Sequence, residues 1–233
     1  MNKLLASALI IFGSLWCQQS YGQLFDQRKN LSIGLNGGVN MSSMDFNPKV
    51  QQKGLLGNSF GFTARYMSEK YFKMMCGLQA EINYSQRGWE EKIDDGSGDT
   101  YSRVLNYVEI PLLAHLAFGK DSNEKGVKFF LNLGPSVSFL LSEKENQSET
   151  WDPTNRPNSP TGQYGVVADK SFDYGLTGGA GLELSTKIGH FLIEGRYYFG
   201  LSDIYKSGAK DYFSRSANTY YGARFSYLFD LTK

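Results

Sequence analysis

Residues 76–87 read CGLQAEINYSQR and alternate between two kinds of side chain along their whole length. The apolar set is Cys76, Leu78, Ala80, Ile82 and Tyr84. The set between them, polar apart from one glycine, is Gly77, Gln79, Glu81, Asn83, Ser85 and Arg87. Because successive side chains of a β-strand point to opposite faces, the segment predicts a strand with one apolar and one charged face.

The same period of two recurs in seven further segments. They are 31–41, 60–67, 103–118, 127–141, 172–185, 190–201 and 219–231. Short polar turns (68–70, 119–125 and 186–189) alternate with long connections (42–59, 88–102, 142–171 and 202–218). An even number of such strands, with short turns on one side and long loops on the other, is typical of outer-membrane barrels. The sequence therefore predicts an all-β fold: an eight-stranded antiparallel transmembrane β-barrel with short periplasmic turns and long external loops.

The first 22 residues have the pattern of a secretory signal peptide. Lys3 precedes an apolar run over 4–16, and small residues occupy the two positions that a signal peptidase reads, Ser20 and Gly22. Cys17 raises the alternative of a lipoprotein, but the preceding Leu-Trp pair places a bulky residue where a small one is needed. We expect Sec-dependent export to the outer membrane of a Gram-negative bacterium. The predicted organisation is a signal peptide (1–22), a short periplasmic segment (23–30) and the barrel (31–233).

Composition excludes several classes of function. Without Lys3, 23 lysines and arginines remain against 23 acidic residues, and this neutrality argues against nucleic acid as a partner. No later segment is apolar and long enough for a transmembrane helix. Cys76 is the only cysteine after the signal, so neither an internal disulfide nor a cysteine-based zinc site is expected. The expected partners are outer-membrane lipid and, through the external loops or periplasmic turns, other envelope or secretion proteins.

The charges on the predicted inner faces are the main candidate site. The residues expected to form a structural charge network are Arg65, Glu81, Glu109, Lys128, Glu183, Glu194, Arg196 and Arg224. Arg87 and Arg103 are also assigned to the inner face. The interior of an eight-stranded barrel is just wide enough for side chains to fill it, and confined charges must be paired. Mixed signs favour a closed salt-bridge plug over the alternative, a proton or ion path.

Other candidate chemistry is weak. His115 and His190 are the only histidines, and nothing in the sequence pairs either with a nucleophile and an orienting group. The acidic run 94–99 lacks the spacing of an EF-hand, so we expect a solvated loop tip. We predict no catalytic residue, no cofactor site and no metal site.

Two local expectations concern strand geometry. Pro111 lies within a long strand, where a proline loses a ladder hydrogen bond, so we expect a bulge or kink there. Trp89, Tyr84, Tyr197 and Phe199 are predicted to lie in aromatic girdles at the boundary between lipid and water.

The segment Tyr107-Val-Glu-Ile-Pro-Leu-Leu113 resembles the Tyr-(Leu/Val)-Glu-Ile-Pro-Leu-Leu strand of the PorT family of outer-membrane β-barrels, common in Bacteroidetes. Further similar segments are 133–136, 173–183 and 194–201. The resemblance implies an eight-stranded barrel in the outer membrane and no catalytic residues. The founding member of that family is tied to type IX protein secretion, whereas most relatives have no assigned activity.

These observations predict a non-enzymatic outer-membrane barrel that acts in envelope structure, surface interaction or PorT-like secretion. The alternative is a soluble lipocalin-like barrel that binds a small apolar ligand with its apolar face turned inward.

Overall fold

The computed structural model describes residues 26–71, 74–119, 125–154, 160–208 and 210–232. The predicted signal peptide lies outside these residues. In the described part every regular element is a β-strand, and no helix is long and apolar enough to cross a membrane. The strands are β1 (Asp26–Asn47), β2 (Gln52–Lys53), β3 (Leu55–Tyr71), β4 (Met74–Glu91), β5 (Tyr101–Gly119), β6 (Gly126–Gln147), β7 (Phe172–Thr186), β8 (Gly189–Asp203) and β9 (Arg215–Asp230).

The eight long strands close into an antiparallel ring. Each pairs with its neighbours in chain order, while the two-residue β2 pairs only with the outer end of β4. The ring is closed by the first and last strands, in one register from Ser32 opposite Asp230 to Asn47 opposite Arg215. In the described residues, closure gives each of the eight long strands a partner on both sides. The predicted eight-stranded barrel is confirmed.

The strands are longer than the sequence pattern indicated. β1 continues to Asn47 and β6 to Gln147, well past the predicted ends at residues 41 and 141. The connections at the long-loop end shrink accordingly to 48–54, 92–100, 148–171 and 204–214. The β6 extension is polar, and in the β1 extension the apolar residues Met44 and Phe46 take inward positions, so neither extension continues the outward apolar pattern. Both extensions pair with neighbouring strands all the same. Hydropathy marks only the part of each strand that has an apolar face.

The two faces of the sheet differ as the alternation predicts. Large apolar side chains point outward, among them Phe62 (69% exposed), Ile193 (65%) and Leu133 (65%). Beside Phe62, an apolar groove of about 550 Å³ lies on this outer face between β9 and β5, where Ala64 and Ala80 are small. The charged side chains of the predicted network point inward and are buried. A lipocalin-like barrel needs the opposite arrangement, so that alternative is not favoured.

Pro111 does not interrupt the register. β4 and β5 keep one register on both sides of it, with Ala80 opposite Leu112 and Asn83 opposite Glu109, and Pro111 itself pairs with Ser136 on β6. The irregularity of β5 lies instead at Asn106 and Tyr107. Of the bulge or kink expected at Pro111, the bulge was wrong, because the strand tolerates the missing donor without adding a residue.

Trp89 does not belong to an aromatic girdle. It has no exposed surface and packs edge-on against Phe46 inside the ring, with ring centroids 5.1 Å apart. β4 extends to Glu91, so the alternation that turns Arg87 inward turns Trp89 inward as well. Tyr197 and Phe199 are outward and partly exposed, as predicted.

The glycines of β7 admit large neighbours into the interior. A Cβ atom on Gly175 would lie 2.8 Å from the Tyr198 ring, and one on Gly179 would lie 2.1 Å from Glu194 Oε1. On Gly181 it would lie 2.6 Å from the Phe130 ring. At these three positions the inward face of β7 has no side chain, which leaves room for side chains of β6 and β8 in the lumen.

Candidate functional site: the filled interior

Glu81 is the centre of the charge cluster halfway along the barrel. Its two oxygens accept hydrogen bonds from Arg196 Nη1 and Nη2 at 2.7 and 2.8 Å, and Oε2 also accepts one from Arg224 Nη1 at 2.9 Å. Asn83 and Gln79 donate to the same carboxylate at 2.8 and 2.6 Å. Arg196 is shared with Glu194, whose Oε2 lies 2.8 Å from Nη2. Two carboxylates and two guanidinium groups therefore neutralise one another away from water.

Arg87 occupies the next layer, toward the long loops. Its guanidinium carbon lies 5.1, 4.4 and 4.8 Å from the ring centroids of Tyr107, Tyr198 and Tyr220, so three aromatic rings surround one cation. Its nitrogens lie 3.0 Å from Glu109 and 3.2 Å from Asp173.

The acceptors of this layer also receive neutral donors. Glu109 Oε1 accepts hydrogen bonds from Tyr220 (2.8 Å) and Ser136 (3.2 Å). Asp173 accepts hydrogen bonds from Asn218, at 3.0 Å, and from Ser202. Arg87 thus contacts both carboxylates of a buried layer, and Arg224 Nη2 supplies a second positive charge 3.9 Å from Glu109.

A third cluster lies near the short-turn end and centres on Glu183. This carboxylate is 2.6 Å from Arg65 Nη1, 3.3 Å from Lys128 Nζ and 2.8 Å from His190 Nδ1. His115 lies behind Arg65, with Nε2 3.4 Å from Arg65 Nη1 and Nδ1 2.7 Å from Asn132 Oδ1. The predicted network residues at this end of the barrel, Arg65, Lys128 and Glu183, therefore belong to one cluster of ion pairs and hydrogen bonds.

Ser185, His190 and Asp230 adopt a spacing that invites comparison with a hydrolytic triad. Ser185 Oγ and Asp230 Oδ1 each lie 3.0 Å from a different ring nitrogen of His190. However, the Ser185 hydroxyl also donates to Glu183 Oε1 at 3.1 Å, and that same oxygen lies 2.8 Å from His190 Nδ1. The side chains of Ser185 and His190 are almost fully buried, so a substrate has no approach to the hydroxyl.

Apolar side chains close the interior at both ends. At the short-turn end the buried cluster consists of Met67, Met75, Ala117, Phe130, Leu192 and Leu228. At the long-loop end a larger cluster combines strand and loop residues: Met44, Phe46, Val50, Trp89, Tyr101, Leu105, Tyr107, Ile204, Tyr205 and Phe213. The charged layers therefore lie between two hydrophobic seals.

The 148–171 loop is held over the apolar cluster at the long-loop end by polar contacts. Arg103 donates to the carbonyl oxygen of Val166 and lies 3.2 Å from Glu145. Glu91 accepts hydrogen bonds from Gln163 and Tyr164, both at 2.7 Å. Burial raises the pKa of Tyr205, a loop residue whose hydroxyl receives a hydrogen bond from Arg103 at 3.1 Å.

All eight predicted site residues are buried in the interior and lie in these clusters. Three residues of these clusters, Asp173, His190 and Asp230, were not predicted as members of the network, and Arg87 was assigned to the inner face but not to the site. The alternation of the 172–185 segment predicts Asp173 on the same inner face as Glu183, and this was the available signal. The tyrosines around Arg87 could not be found from the sequence, because three different strands supply them.

Comparisons with known proteins agree with this architecture. The family model of the outer membrane protein beta-barrel domain matches residues 19–206. Comparison with curated proteins gives no match.

Several solved structures are similar to this chain at low identity. The outer membrane protein OprG from Pseudomonas aeruginosa is 15% identical, with 87% of this chain and 97% of that chain covered and a TM-score of 0.49. Ail of Yersinia pestis, crystallised with the heparin analogue sucrose octasulfate, is 15% identical, with 87% and 100% covered and a TM-score of 0.36. Neisserial surface protein A is 13% identical, with 85% and 97% covered and a TM-score of 0.41. The family match covers most of the chain and is joined here to a closed ring with an apolar outer face, so the chain belongs to the outer membrane protein β-barrel domain family.

Proposed function

We propose that this protein is a closed, non-enzymatic outer-membrane barrel that acts through its external loops, in surface interaction or envelope structure. The observation that carries the proposal is the filled interior, in which paired charges are enclosed between two apolar seals. A barrel with no open lumen has its binding surfaces outside the ring. The polar loops at the long-loop end offer the larger such surface.

The proposal also includes a more specific role, a bacterial group, an export route and a function for the charge network. The Tyr107–Leu113 segment supports a PorT-like role in secretion, in a bacterium of the Bacteroidetes, and the N-terminal sequence supports Sec export. The network of Arg65, Glu81, Glu109, Lys128, Glu183, Glu194, Arg196 and Arg224 then has a structural role: it fills the lumen and fixes the positions of the strands around it.

The closed lumen predicts that the purified protein has no steady ionic conductance. We expect planar bilayers that contain the folded barrel to show only the background current, because ions would have to displace paired charges and two apolar seals. Folded protein is verified beforehand by heat-modifiable gel mobility. A large and steady conductance of the unmodified protein would show an open pore and would overturn the closed-barrel proposal.

The proposed orientation predicts which loops can be labelled on intact cells. In a Cys76→Ser background, Ser97→Cys in the 92–100 loop is expected to react with a membrane-impermeant maleimide, since Ser97 is exposed at the long-loop end. Ile188→Cys, in the short turn between β7 and β8, is 69% exposed at the opposite end and is expected to react only after the cells are broken. The reverse pattern would place the long loops in the periplasm.

A further inference from the structure

The apolar groove on the outer face of the barrel lies away from the charged interior and from the loops. Its volume is about 550 Å³, and residues of β9, β1, β3, β4 and β5 line it. All of these lining residues belong to the described part of the chain, in strands that have a partner on both sides. The volume is in the range of sites that hold small ligands.

The floor of the groove consists of two alanines and the main chain beside them. Ala64 on β3 lies directly opposite Ala80 on β4. Thr63 and Glu81 also line the groove, although their side chains point into the barrel and are buried. Their main chain therefore borders the groove, because the neighbouring alanine methyl groups are too small to cover it.

Large side chains flank the alanines on both sides. Phe62 lies opposite Ile82 on the side toward the long loops, and Tyr66 lies opposite Leu78 on the side toward the short turns. All four side chains are exposed on the outer face. The alanines thus form a depression between two raised pairs, and atoms at its floor lose dispersion contacts unless something narrow fills it.

The groove runs from the short-turn end of the barrel toward the middle of the apolar face. One end is lined by Phe229, the last residue but one of β9, and the other by Ile110, nine residues from Gly119 at the end of β5. Tyr227, on the same face of β9 as Phe229, donates a hydrogen bond to the carbonyl oxygen of Ile188 in a short turn. The groove therefore opens close to the polar boundary at this end.

We propose that the groove holds one acyl chain of a glycerophospholipid from the periplasmic leaflet, with the polar head of the lipid at the short-turn end. The outer face of an outer-membrane barrel is surrounded by lipid hydrocarbon. A single acyl chain is narrow and flexible enough to reach both alanines between the raised pairs, and it can follow the groove from the polar boundary inward. The choice of leaflet rests on the proposed function, in which the short turns are periplasmic.

A second copy of the barrel fits the groove less well. In a two-fold dimer both copies use the same surface patch. A contact centred on Ala64 and Ala80 would place two depressions face to face, with the raised pairs meeting first. The floor of each groove would remain uncovered, whereas an acyl chain covers it.

The test follows alanine methyl groups by NMR in the folded, signal-free protein in detergent micelles, while phosphatidylethanolamine with palmitoyl and oleoyl chains is added. The methyl shifts of Ala64 and Ala80 are expected to saturate near one lipid per barrel. Ala180 and Ala223 are the matched controls, since both are exposed on the outer face outside the groove. Their shifts are expected to change gradually without saturation. The same unsaturated change at all four methyl groups would overturn the site.

Filling the groove is expected to remove the binding. Ala80→Leu should abolish the saturable shift of the Ala64 methyl group, because leucine occupies the floor. Ala180→Leu adds the same side chain to the outer face of β7 and should leave that shift unchanged. Heat-modifiable gel mobility verifies that both variants fold. A saturable shift that persists in Ala80→Leu would overturn the site, and so would a shift that depends on protein concentration without lipid, which would show a second copy in the groove.

Nitroxide labels on the acyl chain test the direction from which the lipid enters. At one labelled lipid per barrel in excess detergent, a label beside the glycerol is expected to broaden the methyl signals of Ile33 most, since Ile33 lies opposite Phe229. A label near the terminal methyl of the chain is expected to broaden those of Ile110 most. The reverse order would show a chain that enters from the long-loop side, as a lipid of the outer leaflet does, and would overturn the assigned source.

Failure of this inference is distinguishable from failure of the proposed function. If no alanine shift saturates but Ser97→Cys is still labelled on cells and the bilayer stays closed, the lipid site is overturned and the proposed function stands.

Discussion

Replacing Glu81 with glutamine is expected to lower the free energy of unfolding by about 3–5 kcal/mol, the range found when one member of a buried ion pair is removed. The carboxylate of Glu81 is bonded to both Arg196 and Arg224, and all three side chains are buried. Glutamine keeps the size of the side chain and one acceptor oxygen, but it leaves two arginines facing a neutral group. Urea unfolding of the refolded barrel in detergent micelles, followed by gel mobility, measures the loss.

Glu90→Gln is the matched control on the same strand. Glu90 lies near the outer end of β4, with a partly exposed side chain 4.0 Å from Lys53. An ion pair of this kind contributes less than about 1 kcal/mol, so the control is expected to unfold almost as the unmodified protein does.

The double variant Glu81→Gln, Arg224→Gln removes one stranded cation together with its acceptor. It is expected to lose less stability than the sum of the two single changes, because the residues interact directly. Additive losses, or equal losses for Glu81→Gln and Glu90→Gln, would contradict a stabilising role of the central cluster.

The fold was predictable because its signal is local. The period-two alternation assigned every charged residue of the network to the inner face, and the lengths of the turns indicated which ends of the strands lie together. Trp89 shows that the alternation of side chains is a better guide than residue type. Trp89 lies two residues after the inward-facing Arg87, so the alternation places its ring inside the barrel. The expectation of an aromatic girdle was based on residue type alone. The ends of β1 and β6 were missed because neither continues the outward apolar face: the β6 extension is polar, and the apolar Met44 and Phe46 of β1 turn inward.

The pairing inside the ring was not predictable in the same way. Arg65 and Glu183 lie on β3 and β7, which are not neighbours in the sheet, and their contact spans the lumen. Which side chains meet there depends on the tilt and stagger of the strands as the ring closes, and one sequence does not show these quantities. Asp173 was assigned to the inner face, but its partner Arg87 could be identified only once the ring was built.

Replacing Phe62 with arginine is expected to cost about 2–4 kcal/mol of folding stability and to reduce assembly in the outer membrane, if the apolar face contacts lipid. Phe62 is 69% exposed on β3, between Leu35 and Ile82 on the neighbouring strands, so the new charge has only apolar neighbours on the outer face.

Asn58→Arg is the control, since Asn58 lies on the same face of the same strand, four residues closer to the long-loop end and opposite Val39. Four residues correspond to about 13 Å along a strand, enough to bring the guanidinium near the polar boundary, where the cost falls to about 0–1 kcal/mol. Both variants are compared by urea unfolding in lipid vesicles and by their recovery in outer-membrane fractions. Equal stability and equal recovery of the two variants would mean that the apolar face of β3 does not lie in the lipid.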